Sequence, residues 1–366
     1  MSFSYTDDLG PEKTIEIYDP RSGLKAILVV DNTAAGPAVG GARMAPDVSA
    51  VECFRLARTM TFKNAAAGLP HGGAKSVIFA DPVMPKDKKE GLMRSFARAI
   101  DEIEDYIVGP DMGTNEEAMA WVHDEIGRAV GLPCEIGGIP LDEIGATGWG
   151  LAAAAEVAQD FCRLKVSGAR LAIQGFGAVG AHAARFLVQK GAVLVAAADS
   201  RGTVSDPQGL DADALLRLKR EGKSVIDYPT GQKGSRDAVI GVECDIWIPA
   251  ARPDVIDKTN VDKLSTRLVL QGANIPIEVG AERRLHERGI LSVPDFIANS
   301  GGVICAAVEY RGGSQTEAFA MIHEKVTANT AEVLETAKRK DLLPRDAATA
   351  MARERVLRAM SYRRKA

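Results

Sequence analysis

Arg170-Leu171-Ala172-Ile173-Gln174-Gly175-Phe176-Gly177-Ala178-Val179-Gly180 is the stretch on which the fold of this chain turns. Its first five residues read as a strand, and three glycines spaced G-x-G-x-x-G follow at once. A helical segment runs on to about Lys190, and a nearly continuous apolar run, 193–198, ends on Asp199. Apolar runs without alternation fit parallel strands buried on both faces, so the segment reads as one βαβ unit. Glycine is frequent here, 36 of 366 residues, so the triplet alone decides little; its place between strand and helix carries the weight. Gly175 permits the tight turn, Gly177 lets the backbone approach a pyrophosphate, and Gly180 lets helix and strand close together. The helix opening at Ala178 and Val179 supplies N–H groups and partial positive charge for phosphates. Asp199 can accept hydrogen bonds from ribose hydroxyls, with Ser200 beside it. Gly175, Phe176, Gly177, Ala178, Val179, Gly180, Asp199 and Ser200 are thus candidate cofactor-binding residues. The acid favours NAD; the neighbouring Arg201 can offset it, so NADP stays open. The bland alternatives are a glycine-rich packing turn and a solvated Arg201.

The bulk numbers fit a two-domain globular chain. Hydrophobic residues make 46% and charged residues 26%, and the net charge is −4, which gives no general attraction to nucleic acid. Five scattered cysteines without a CxxC, and five scattered histidines, argue against a zinc site; no metal is expected. Residues 1–8 do not read as a signal peptide, and the longest apolar run, 192–198, is too short to span a bilayer. A cytoplasmic location with reduced thiols is expected.

The first part of the chain reads as mixed α/β. Strands are expected at 14–19 and 24–30 around a turn at Pro20-Arg21-Ser22-Gly23, then a helix over 49–66 with Ser49 and Glu52 as a capping box. A strand over 75–80, a helix over 87–103 capped by Asp87, a strand at 106–109 and a helix from Asn115 follow. Beyond the glycine turn, strands are expected at 246–248 and 268–270, and the tail from about Ala318 is largely helical. Within this part, Thr61-Phe62-Lys63-Asn64-Ala65-Ala66-Ala67-Gly68-Leu69-Pro70-His71-Gly72-Gly73-Ala74-Lys75 holds two lysines among small, apolar and glycine residues. No Asp or Glu occurs between Glu52 and Asp81. A desolvated lysine beside another cation has a lowered pKa and can act as a base, while its neighbour holds a fixed anion. Two solvated lysines flanking a turn are the alternative.

That segment, together with Gly109-Pro110-Asp111-Met112-Gly113-Thr114-Asn115, resembles the signature of the amino-acid dehydrogenase superfamily that contains the glutamate, leucine, phenylalanine and valine dehydrogenases. Gly36-Pro37-Ala38-Val39-Gly40-Gly41-Ala42-Arg43-Met44 is similar to a substrate-pocket loop of its branched-chain and aromatic members. Ala146-Thr147-Gly148-Trp149-Gly150, Asp199-Ser200-Arg201-Gly202, Gln271-Gly272-Ala273-Asn274 and Asn299-Ser300-Gly301-Gly302-Val303 look closer to glutamate dehydrogenases. The resemblance covers almost the whole chain. It implies an α/β fold of two domains, with the active site in the cleft between them. The first, 1–145, would bind substrate and support oligomerisation, with helices at about 330–366 packing back onto it. The second, 146–330, would be a doubly wound Rossmann domain binding NAD. It also implies reversible oxidative deamination of an L-amino acid to a 2-oxo acid and ammonia by a homo-oligomer. Lys75 would be the catalytic base with lowered pKa, Asp111 a proton relay, Lys63 the α-carboxylate ligand and Asn274 a nicotinamide contact. Asp111 as a helix N-cap and Asn274 as a turn residue before Pro276 are the alternatives.

Side-chain choice rests on other positions. Glutamate specialists of the family carry a Lys directly before the paired glycines of the pocket loop, where this chain has Val39. They also carry a Ser in the position of Ala306. Burying a second carboxylate against two apolar groups costs several kcal/mol, on the order of a lost hydrogen-bonded partner or more. With Gly40, Thr147 and Val303, these residues suggest a pocket for an apolar amino acid, branched-chain or aromatic. A polar substrate such as glutamate, held by Thr147 or His71, is the alternative, and a non-catalytic nucleotide-binding regulator is another.

Overall fold

The computed structural model describes residues 2–363. By its contacts the chain divides into two units. The first comprises Met1–Pro140, Val303–Ala318 and Thr349–Ala366; the second comprises Leu141–Gly302 and Phe319–Ala348.

The first unit is built on β1 (Lys13–Asp19), β2 (Leu24–Asn32), β3 (Ala38–Ala45), α1 (Ala50–Ala66), β4 (Gly72–Phe79), α2 (Lys86–Ala99), β5 (Tyr106–Pro110) and α3 (Glu116–Ile126). The sheet order is β1-β2-β4-β3-β5. The β1–β2 and β2–β4 pairs are antiparallel, whereas β3 runs parallel to both β4 and β5. Strand alternation divides the core. Val29 and Val77 pack with Cys53, Phe54 and Ala57 of α1 on one face. Leu28, Val30 and Ile78 pack with Met93 and Phe96 of α2 and Met119 and Val122 of α3 on the other.

Three local expectations differ from the structure. The expected pocket loop at 36–44 is mostly β3, one of the inner strands. Its small residues hide the alternation that marks strands, because they are there for close approach: a Cβ on Gly40 would lie 1.7 Å from the Ala74 carbonyl oxygen. Second, α2 begins after Pro85 with no side-chain cap, so Asp87 is not its N-cap, and it ends at Ala99. Third, Ser49 does accept from the Glu52 N–H at 3.2 Å, but the Glu52 carboxylate turns to Arg43, where a charged partner outcompetes a backbone N–H.

In the second unit, α4 (Leu141–Ile144) and α5 (Ala146–Ala158) precede β6 (Arg170–Gln174), α6 (Ala178–Gln189), β7 (Val193–Asp199), β8 (Gly202–Ser205), α7 (Ala212–Arg220), β9 (Gln232–Gly234), β10 (Ile246–Pro249), β11 (Leu268–Leu270), α8 (Val279–Glu287), β12 (Leu291–Val293) and α9 (Asp295–Ala298). The sheet order is β12-β11-β10-β6-β7-β8-β9, parallel from β12 to β7 and antiparallel beyond. β7 and β10 flank β6 on opposite sides, so strand order reverses at β6, the switch point where doubly wound sheets bind ligands. The tail is tied into this unit through one cation: Arg345 donates to Asp295 at 2.9 Å and to Gln271 at 2.8 Å and also pairs with Glu282. The chain finishes with α10 (Gly301–Tyr310), α11 (Gln315–Lys340) and α12 (Pro344–Ser361). Among the described residues no helix is long and apolar enough to cross a membrane.

The two-domain α/β architecture is thus the one read from sequence. Gly40→Ala tests this close strand contact. The clash is with backbone, which cannot swing away, so the variant is expected to lose about 3 kcal/mol or more in a urea melt, at the upper end for overpacking.

Candidate active site

Parallel pairing sets Gly41 of β3 opposite Gly109 of β5, and Ala42 opposite Ser76 of β4. Lys75, one residue before Ser76, and Asp111, just past the end of β5, therefore stand on either side of Gly41. The Lys75 Nζ lies 2.7 Å from the Asp111 Oδ2, with the lysine side chain only 6% exposed. A Cβ on Gly41 would sit 2.8 Å from the Asp111 Cβ and 3.1 Å from the Lys75 Nζ. The glycine is the gap through which the pair forms.

Arg43, two residues on along β3, donates its Nε to the same Asp111 Oδ2 at 2.9 Å and its other end to Glu52. One carboxylate thus faces two cations. Burial acts to raise the Asp111 pKa, but the charges of Lys75 and Arg43 and their hydrogen bonds outweigh it and hold the carboxyl below its usual range. Arg43 is thus a second cation on this carboxylate, besides Lys75. Asp111 is not a helix cap: Asn115 caps α3, accepting from the Ala118 N–H at 3.1 Å. The turn is closed instead by Thr114, whose hydroxyl accepts from the Asp111 N–H at 2.9 Å and donates to the Ala42 carbonyl at 2.8 Å.

Lys63 lies in the last turn of α1, half-buried. The helix approaches β4 closely enough that a Cβ on Gly73 would lie 2.0 Å from the Thr61 nitrogen, and Asn64 donates to the Gly72 carbonyl at 2.6 Å. His71 is buried, its Nδ1 3.1 Å from the Pro37 carbonyl and its ring edge-on to Tyr310. Burial lowers its pKa, with the Pro37 contact opposing, which favours a neutral imidazole.

Of the side-chain candidates, Val39, Gly40, Val303 and Ala306 lie in the same unit as this pair. Val39, Ile107, Val130 and Ala306 form one buried apolar cluster. Val303, half-buried, is one turn before Ala306 on α10. Gly40 contributes through its backbone, whose carbonyl accepts from the Tyr106 hydroxyl at 3.0 Å. Thr147 belongs to α5 in the second unit, where its Oγ1 would lie 3.2 Å from a Cβ on Gly302.

In the second unit the glycine turn has the geometry its spacing predicts. Gly175 has φ +94°, a backbone conformation that favours glycine, and a Cβ on Gly180 would lie 2.0 Å from the Gly175 carbonyl oxygen. A Cβ on Gly177 would meet nothing within 4 Å, so that face of the turn is open to a ligand. Gly177 caps α6 without a side-chain hydrogen bond, and helical geometry leaves the first-turn N–H groups, from Ala178 and Val179 onward, for an anion. These features fit a dinucleotide. Phe176 is a buried anchor, its N–H donating to the Ala198 carbonyl at 2.8 Å. Ser200 is exposed. Asn274 is exposed too, and its Oδ1 accepts from Asn299 Nδ2 at 3.0 Å, which orients the carboxamide. The Asp199 carboxylate, read as a ribose acceptor, is engaged by Lys219 at 2.9 Å and by Ser224 at 2.7 Å.

Sequence reasoning passed over three residues. Arg43 carried a signal, since it follows the paired glycines at strand spacing from Gly41. Glu309 carried none: buried on α10, it accepts from the N–H groups of Gly131, Leu132 and Ile139 at 2.7, 3.1 and 2.9 Å, fixing the loop next to Val130. Lys219 lies in the last turn of α7, remote in sequence from Asp199.

Asp111→Asn gives a pH-dependent readout. A depressed folded-state carboxyl pKa contributes stability that is complete above the unfolded value, about 3.9, and is lost as pH falls through the folded value. The variant leaves Lys75 and Arg43 without their anion and is expected to lose on the order of 3 kcal/mol at pH 7. The gap between wild type and variant should narrow below about pH 4 in urea melts, and a gap that stays constant to pH 2.5 would remove the ion pair as its cause.

Comparison with known proteins gives the family. Residues 137–364 match the family model described as Glutamate/Leucine/Phenylalanine/Valine dehydrogenase, and residues 11–128 match that of the Glu/Leu/Phe/Val dehydrogenase dimerisation domain. A glutamate dehydrogenase of Aeropyrum pernix is 37% identical over 91% of this chain and 85% of that protein. An NADP-specific glutamate dehydrogenase of Saccharolobus shibatae is 36% identical over 91% and 83%. Among solved structures, a hetero-hexameric glutamate dehydrogenase from Thermus thermophilus, in its Leu-bound form, superposes with a TM-score of 0.86 at 28% identity, covering 97% of this chain and 91% of that one. With matching models over most of its length and relatives of this identity, the chain belongs to the Glu/Leu/Phe/Val dehydrogenase family, the amino-acid dehydrogenases that act on a CH–NH2 group.

Proposed function

We propose that this chain catalyses the reversible oxidative deamination of an L-amino acid to its 2-oxo acid and ammonia, with Lys75 and Asp111 as its proton-handling pair. The observation that supports this most is the 2.7 Å contact between the two across Gly41. The coenzyme is NAD or NADP, which takes the hydride from the substrate Cα when bound. Lys63 holds the α-carboxylate. Lys75 removes a proton from the water that attacks the imine carbon, and Asp111 passes a proton to the departing amino group. The balance is amino acid, oxidised coenzyme and water in; oxo acid, ammonia, reduced coenzyme and a proton out. Arg43 shares the Asp111 oxygen, so the carboxylate is not committed to Lys75 alone. Val39, Gly40, Thr147, Val303 and Ala306 are assigned to substrate binding, and the Gly175–Gly180 turn with Asn274 to the coenzyme. The first unit, matched by a dimerisation-domain model, is read as the assembly surface of a homo-oligomer.

For the amino-acid side chain, glutamate is the reading that the relatives favour, since those covering nearly all of this chain carry that name. A second reading rests on one observation. Val39, Ile107, Val130 and Ala306 form an apolar cluster, and a side-chain carboxylate set against it would lose hydration without gaining a cation. A branched-chain or aromatic substrate suits that wall.

A panel of 2-oxo acids with ammonia, followed by NADH and NADPH absorbance, separates the two. Turnover of 2-oxoglutarate above all others supports the first; preference for branched-chain or aromatic oxo acids by about tenfold, some 1.4 kcal/mol, supports the second. No turnover of any oxo acid would sink both. The proposed pair has its own check. Gly41→Ala, which forces Lys75 and Asp111 apart, is expected to lower kcat about a hundredfold or more while coenzyme affinity holds, as does Lys75→Met. Full kcat in either variant would discard the pair.

A further inference from the structure

This inference rests on the dinucleotide reading of the Gly175–Gly180 turn and concerns which coenzyme that turn selects. Gly175 and Phe176 both donate their N–H groups to the Ala198 carbonyl, at 2.9 and 2.8 Å. The next residue, Asp199, thus stands at the flank of the turn, where an acid discriminates against a ribose phosphate.

A carboxylate has about four accepting positions, and here all are used inside the unit. Oδ1 accepts from the Ser224 hydroxyl at 2.7 Å and the Arg201 N–H at 3.0 Å; Oδ2 accepts from the Lys219 ammonium at 2.9 Å and the Val225 N–H at 3.0 Å. Burial acts to raise the Asp199 pKa, yet these donors together bring it down to about 2, as expected of a carboxylate held by charge-assisted bonds. A ribose diol would have to displace them.

The charges around it also balance. Arg201 donates to Asp227 at 3.1 Å, and Asp227 accepts from the Ser224 N–H at 2.8 Å, so the two ion pairs share Ser224. In each pair the cation is the more exposed member: 31% for Lys219 against 7% for Asp199, and 58% for Arg201 against 34% for Asp227. The cluster is neutral in sum and presents its positive ends outward.

We propose that Lys219 is a coenzyme-selecting residue: by occupying Asp199 it converts the ribose end of the site from one that repels a 2′-phosphate to one that receives it, so this chain binds NADPH at least as tightly as NADH. A serine and a backbone N–H hold the acid in place, and the lysine and Arg201 supply donors for the phosphate.

Isothermal titration of the full-length protein with NADPH and NADH, needing no turnover, tests this. The wild type is expected to bind NADPH as tightly as NADH or tighter. Lys219→Met, which uncovers the acid and removes a cation, should weaken NADPH about tenfold or more while moving NADH by no more than about twofold. Lys219→Arg should restore the wild-type ratio. A wild-type preference for NADH of about tenfold or more would overturn the proposal, as would equal weakening of both coenzymes by Lys219→Met with an unchanged melting curve, the mark of a purely structural lysine. The wild-type ratio decides even where the variant does not fold. If neither coenzyme binds the wild type, the dinucleotide reading itself falls; binding of NADH alone leaves that reading standing and removes only this one.

Discussion

Lys75 and Asp111 meet because Gly41, on the strand between them, has no side chain. Three parallel strands with a glycine in the middle place a lysine and a carboxylate within 2.7 Å, and the rest of the first unit keeps that arrangement in register. Gly40 lets β3 lie against the Ala74 carbonyl, and Gly73 lets α1 press on β4. Thr114 ties the turn after Asp111 back to β3. Glycines here act as spacing elements: each removes one methyl group where two backbones or two functional groups must touch. The same crowding explains why the pair is electrostatically unusual. A carboxylate shared by a buried lysine and an arginine is held ionised, and Glu52 takes the far end of the arginine so that the group is not left with a bare positive charge.

The second unit solves a different problem, that of charge at the edge of a ligand turn. Its glycines follow the logic of a dinucleotide fold, with strand order reversing at β6 and an uncovered face at Gly177. The acid at the end of β7 has the expected position but other neighbours. Position is set by the βαβ repeat, which is local; partners are set by α7 and the turn at Ser224, which are not. A motif therefore locates the acid without stating its chemistry, and the same residue type can discriminate against a phosphate when open or permit it when paired.

How much was legible follows the same division. β6, the glycine turn, β7 and β11 were readable because apolar runs and glycine punctuation are local signals. β3 was read as a loop because Gly40 and Gly41 replace the alternating side chains that announce a strand, and they do so for the sake of the site. β8 and β9 were not anticipated, being short antiparallel additions at the sheet edge. Lys63, Lys75 and Asp111 were singled out by motif, whereas Arg43, the second cation on Asp111, was signalled only by its strand spacing from Gly41 and was passed over. Glu309 and Lys219 act over long sequence separations, with nothing in their own neighbourhoods to mark them.

The Lys75–Asp111 pair and the apolar wall therefore occupy separate parts of the first unit. The Lys75–Asp111 contact depends on β3, β4 and β5 meeting at Gly41. The apolar wall depends on α10, which brings Ala306 to Val39, and on Glu309 of the same helix, whose carboxylate holds the 131–139 loop beside Val130. Burial raises the Glu309 pKa, and its backbone N–H donors offset only part of that. A buried acid kept for three backbone contacts is a costly way to hold a loop unless the loop must be placed closely. Because Val39 precedes Gly40 and Gly41 on one strand, the wall and the pair are rigidly linked at one end and independent at the other. A change on α10 can then reshape the apolar wall without moving Lys75 and Asp111, so under the proposed reading side-chain preference can change while the reaction is kept.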